Sequence, residues 1–137
     1  MLSERQRAWQ REYINRPHVK QRLIDWRAKE RWRVNLSSTR THARKAGIEH
    51  TLSAAWAKDR YTGFCELTGL KFRISPRGSG PSPFSPSIDR IDPLVGYVPE
   101  NCRFILFGIN SLKGRGTDDD VILIAKHLLK SRGLNAA

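Results

Sequence analysis

The chain of 137 residues is long enough for one small domain with appendages, and 39% hydrophobic residues suffice for a modest core. Its formal net charge of +12 at pH 7 favours a polyanionic partner through phosphate contacts and counterion release; on charge alone RNA, DNA and an acidic protein all qualify. No apolar run reaches the length of a membrane span, the N-terminus MLSERQRAWQ is charged rather than signal-like, and basic and aromatic residues do not segregate onto one amphipathic helix, so the expectation is a cytoplasmic protein with no membrane contact.

The first segment, SERQRAWQREYIN, predicts a short amphipathic helix with Ser3 as N-cap and Ala8, Trp9, Tyr13 and Ile14 on its apolar side. Pro17 fits the first turn of a following helix, where its missing N–H costs nothing. From there to Gly47, a C-cap candidate, the pattern predicts one long helix or two, with Val19, Leu23, Trp26 and, less cleanly, Ile24 as apolar stripe. Residues 1–50 hold 13 Lys/Arg against 5 Asp/Glu, so residues 1–47 read as a basic helical arm. Arg27, Arg31 and Arg33, then Arg40, Arg44 and Lys45, are its candidates for nucleic-acid contact, because Arg suits phosphate recognition. The alternative is a solvated helix whose Trp9, Trp26 and Trp32 simply pack on the core.

HTLSAAWAKDRYTG predicts a short helix led by Ser53 and ended near Gly63, and FCELTGLKFRI predicts a hairpin around Thr68-Gly69. The Pro/Gly/Ser stretch over residues 75–86 is a loop. A strand over 87–91, the loop DPLVGYVPE, a second strand NCRFIL and a helix from near Phe107 follow; that helix carries Asn110 and Lys113 on one face. Finally, TDDDVILIAKHLLKSRG predicts a covering helix within residues 117–137. Thr117 and Asp118 are its cap candidates, acids fill its first turn, and Gly133 ends it. Its Val121, Ile122, Ile124, Ala125, Leu128 and Leu129 are expected in the core.

Cys65 and Cys102 are the only cysteines, with no C-x-x-C pair, and His18, His42, His50 and His127 lack finger-like spacing. Both thiols are expected as buried small hydrophobes rather than zinc ligands or a disulfide. The strand–loop–strand–helix unit sets Asp89 on one side and Asn110 on the other. Two oxygen donors can hold one divalent cation and leave its other positions to water and a phosphate oxygen, as Mg²⁺ prefers. Such an ion stabilises the charge that builds on a cleaved phosphodiester.

In Asp89-Arg90, Gly96, Asn101, Asn110 and Lys113 the chain resembles the HNH (His-Me finger) endonucleases, especially small phage-borne members. The resemblance extends over roughly residues 40–116, where a Cys–Thr-Gly turn takes the place of a zinc knuckle. It implies an α+β fold: a ββα-metal nuclease core over residues 48–116, N-terminal basic helices, a C-terminal helix and no structural zinc. It also implies Asp89 and Asn110 as ligands of Mg²⁺ or Mn²⁺, Asn101 as the residue that pins the loop, and Arg103 and Lys113 as phosphate contacts, with Arg115 joining them on charge.

One position departs from the family. Its general base is the His after the Asp, and here that residue is Arg90, which has no acceptor lone pair and cannot take a proton near neutral pH. Three outcomes follow. Asp92, two along the strand, or His50, from the preceding segment, activates water. Otherwise water on the metal or the substrate's phosphate handles the proton while Arg90 stabilises transition-state charge. In the third, the site is inert. The expected activity is Mg²⁺-dependent nicking or cutting of DNA, double-stranded or branched, with a largely sequence-tolerant grip and RNA as the other candidate substrate; a homodimer is among the open oligomeric states. The competing expectations are a non-catalytic nucleic-acid-binding module on the same scaffold and a basic protein that inhibits a nucleic-acid enzyme.

Overall fold

A computed structural model of the chain describes residues 1–135. In chain order the elements are α1 (Glu4–Asn15), α2 (Pro17–Lys29), α3 (Trp32–Ala46), α4 (Ala54–Arg60), β1 (Pro86–Arg90), β2 (Cys102–Leu106), α5 (Phe107–Lys113) and α6 (Asp118–Ser131), with a 3-10 turn at Pro99–Asn101 leading into β2. The two strands pair antiparallel, with Ile88 opposite Phe104 and Asp89 opposite Arg103. Every residue of β2 is buried, as expected of a strand covered on both faces.

The core gathers around those strands. Trp32, Leu36 and Ala43 form the buried side of α3, and they meet Leu52, Ala57, Cys65, Phe72, Ile88 and Phe104. Asn35 ties α3 to the start of β1, its Nδ2 donating to the Pro86 carbonyl at 2.9 Å. Gly47 ends α3 in the left-handed region at φ 66°, a conformation glycine adopts without Cβ strain. Both cysteines are buried and free, and burial pushes the Cys102 thiol up to about 12.

Of the two alternatives for residues 17–47 the structure has two helices, broken at Glu30–Arg31. Three expectations change. Of the expected apolar stripe only Val19 is buried. Leu23, Ile24 and Trp26 are exposed, as is Trp9, which stacks on Tyr13 instead; of the three tryptophans named, Trp32 enters the core. The predicted hairpin shrinks to a single bridge between Phe64 and Lys71 around a tight turn closed by Gly69 N–H on the Cys65 carbonyl at 2.9 Å. The reason is competition: Glu66 gives its backbone N–H to the Phe104 carbonyl at 3.0 Å, and its carboxylate accepts from the Phe104 N–H at 2.7 Å. Glu66 thus serves the outer side of β2 rather than a strand of its own.

The last change concerns α6, none of whose residues is buried. Ile122, Leu123, Ile124 and Leu128 stay about half exposed, because α6 rests on α5, and a helix of 7 residues cannot cover one of 14. Among the described residues no helix is long and apolar enough to cross a membrane.

Candidate active site

The loop between the strands is held by one amide. Asn101 Nδ2 donates to the carbonyls of Asp92, Val95 and Gly96 at 3.0, 3.3 and 3.0 Å, and its Oδ1 accepts from the Asp92 N–H at 2.9 Å. Asp92 in turn caps the turn, accepting from the Leu94 N–H at 2.9 Å. Gly96 lies against the neighbouring segment, where a Cβ would stand 2.7 Å from the Glu49 carbonyl oxygen, so no larger residue fits without movement. This loop projects Arg90 sideways: its Nη1 donates to the Pro93 and Val95 carbonyls, and its guanidinium lies over the Tyr97 ring at 5.0 Å.

Asp89 is 3% exposed and sits in a cluster of charges. Its Oδ2 accepts from Arg103 Nε at 3.0 Å, and Arg103 Nη2 lies 2.9 Å from the same oxygen. Lys113 Nζ reaches Oδ1 at 3.0 Å and Oδ2 at 3.1 Å, and also donates to the carbonyls of Arg90 and Ile91. Arg103 continues to Asp118 at 2.6 Å, and that hydrogen bond holds the Asp118 carboxyl below its usual range. Buried charges of opposite sign in mutual contact avoid the large cost of an unpaired one. Arg103 and Lys113, expected at phosphates, are therefore engaged inside the protein and buried.

Beside this cluster opens a cleft of about 290 Å³ lined by His42, Asp89, Arg90, Tyr97, Asn110 and neighbours. Asn110, on α5, donates from Nδ2 to Ser87 Oγ at 2.7 Å and to the Ile88 carbonyl at 3.3 Å. His42 arrives from α3. With Asn35 anchored at Pro86, seven helical residues advance about 10 Å while the four strand residues to Arg90 advance about 13 Å, so His42 comes level with the end of β1. Sequence reasoning missed this residue. The available signal was the i, i+4, i+7 spacing of Asn35, Thr39 and His42 on one helix face.

The other nominated proton acceptors lie elsewhere. His50 points to a separate recess beside Arg40 and Arg44 and shares a 2.9 Å hydrogen bond with Thr39 Oγ1. Burial, with the Arg40 charge, lowers its pKa. Asp92 uses Oδ1 on the Leu94 N–H, is exposed, and is not among the residues that line the cleft. Tyr97 does line the cleft, but burial raises its phenol pKa and keeps it protonated.

The basic candidates also divide. Arg40, Arg44, Lys45 and Arg115 are exposed near the cleft end of α3 and after α5. Arg33 is tied to Glu30 at 2.9 Å and lies over the Trp32 ring, while Arg27 and Arg31 are half-buried.

The carboxylate and amide side chains that line the cleft, and that would hold a divalent cation, are those of Asp89 and Asn110. Oδ2 of Asp89 is fully engaged, but Oδ1 accepts from Lys113 alone and keeps one acceptor site. The main-chain carbonyl of Asn110 accepts from the Gly114 N–H at 3.1 Å, whereas its side-chain Oδ1 has no protein donor among the described residues. No group of three or more His, Cys, Asp or Glu is assembled there either. The pair fits a hard cation that takes few protein ligands, at a site weakened by the two cationic neighbours of Asp89.

No family model matches the chain, and no curated protein is significantly similar to it. Among solved structures it is similar to the rare-cutting HNH restriction endonuclease PacI. The two superpose with a TM-score of 0.54 over 76% of this chain and 82% of that one, at 21% identity. The fold is HNH-like. At that identity the likeness is one of architecture alone.

Proposed function

We propose that the chain is a divalent-metal-dependent DNA endonuclease in which His42 takes the proton that the Arg90 position cannot. The observation that carries this is the convergence of His42, Arg90, Asp89 and Asn110 on one cleft of an HNH-like unit. When bound, the cation supplies Lewis-acid stabilisation of the leaving oxygen. His42 is exposed, and a neutral imidazole nitrogen takes a proton from the attacking water as its oxygen bonds to phosphorus and one ester P–O bond breaks. Arg90 uses Nη1 on the loop, and its guanidinium, at the cleft wall, stabilises charge as it builds on a phosphoryl oxygen. Arg40, Arg44, Lys45 and Arg115 supply sequence-tolerant phosphate contacts, the expected basis of a salt-sensitive grip.

The test is supercoiled plasmid with Mg²⁺, Mn²⁺ or EDTA. Cleavage that requires metal and drops by about a hundredfold or more in His42→Ala and Asn110→Ala supports the reading, in line with the usual size of acid–base contributions. Asp89→Ala is a poor diagnostic, because that carboxylate also holds the fold. Cleavage persisting in His42→Ala removes the proposed acceptor; an Arg90→His chain that cuts faster near neutral pH would show that the strand position still has the geometry of a base. One observation favours a second reading, a nucleic-acid-binding module without catalysis: Asp89 already has two cationic partners. Salt-sensitive binding with no cleavage of any DNA at any metal decides for it.

A further inference from the structure

Leu94 is an anomaly in this molecule. It is 94% exposed, next to the exposed Val95 and three residues after the exposed Ile91, in the loop that walls the cleft. A mobile loop would explain a bare leucine by indifference, yet this loop is held fast. Asn101 binds the carbonyls of Asp92, Val95 and Gly96, Arg90 binds those of Pro93 and Val95, and the Leu94 N–H itself is bound by Asp92. An apolar side chain is thus presented to solvent by a rigid mount, at the side of the cleft that holds His42 and Arg90.

We propose that Leu94 is a wedge that enters a base step of duplex DNA beside the bond presented to the cleft. This rests on the DNA reading above and extends it to how the duplex is deformed. Leucine is among the apolar side chains that enter base steps and unstack them. The surroundings match a polyanion: the larger hollow of about 810 Å³, which Leu94 itself helps to line, carries Arg90, Arg115 and His42, with Glu49 its single carboxylate. Because the loop is ordered before contact, insertion sacrifices no loop entropy, which is the cost that usually weakens such contacts.

The experiment is permanganate footprinting of a linear duplex by the full chain in EDTA, where binding is seen and cleavage is not. Wild-type protein is expected to make thymines under it hyper-reactive, and Leu94→Ala to lose that reactivity about fivefold or more while Leu94→Phe keeps it, both wedge types being effective. Leu94→Ala is also expected to cut a fully paired duplex several-fold slower, and to recover on a duplex with an unpaired base at the cut site, where unstacking costs least. Since Leu94 touches solvent, both variants should melt like wild type. Bound DNA without hyper-reactive thymines, or reactivity that survives Leu94→Ala, overturns the wedge and leaves the nuclease reading standing. Hyper-reactivity without metal-dependent cleavage keeps the wedge and removes the nuclease. Absence of DNA binding removes both. A dimer that dissociates in Leu94→Ala, with thymine reactivity unchanged, assigns the leucine to a second copy of the chain instead.

Discussion

Helices α1 and α3 have 12 and 15 residues, and they stand for opposite reasons. In α1 a reciprocal capping box between Ser3 and Gln6 satisfies the first-turn donors, and no residue is buried. In α3 no side chain caps the N-terminus, but Trp32, Leu36, Thr39 and Ala43 are buried. Helix α6 repeats the first case with Thr117 and Asp120. Local hydrogen bonding thus sustains the appendages, and burial sustains the helix that positions His42. A helix without buried contacts gains little beyond its caps, so its ends set its stability.

That contrast can be broken from either side. The largest effect is expected at the charge cluster that joins β1, β2, α5 and α6. Asp89→Ala leaves Lys113 and Arg103 uncompensated in the interior and should cost about 3–5 kcal/mol in urea denaturation. Next, Leu36→Ala opens a cavity in the buried side of α3 and should cost about 3 kcal/mol by the same measurement. Thr117→Ala should cost about 1 kcal/mol, and hydrogen exchange should show the loss confined to α6 rather than shared with the core. A loss of protection that spreads to β2 would mean that α6 is part of the cooperative unit. The smallest effect is a pH dependence. The pKa of His50 is lowered on folding, so the folded state holds fewer protons than the unfolded one as pH falls below about 6.5. Its contribution is therefore complete above that pH and declines below it. His50→Gln should flatten the melting temperature between pH 7 and 5 by the part due to this residue.

Much of this molecule could be read before the fold was seen. Ser3, Pro17, Gly47, Ser53 and Thr117 mark real helix ends, because caps are local chemistry. Strand β1 starts one residue before its expected span, and α5 starts at Phe107. Periodicity failed where a partner was missing. The apolar face of α6 was legible, but a pattern cannot say whether anything lies opposite, and α5 is too short to fill that place. The hairpin failed because Glu66 pairs with Phe104, 38 residues away. At the candidate site, the elements carrying Asp89 and Asn110 were legible from spacing. The pairing of Asp89 with Arg103 depends on strand register, and the approach of His42 depends on how α3 lies along β1. Neither is written in local sequence.

Glu66 has one more consequence. A two-stranded sheet has two open sides, and β2 is a fully buried strand, apolar but for Arg103, of the kind that recruits other chains if left uncovered. At its middle residue, one glutamate occupies the N–H with its carboxylate and the C=O with its own amide, while Arg60 fixes the carboxylate at 2.7 Å. The residue is a plug against templated growth, and its loss should be read in solubility and fibril formation rather than in catalysis.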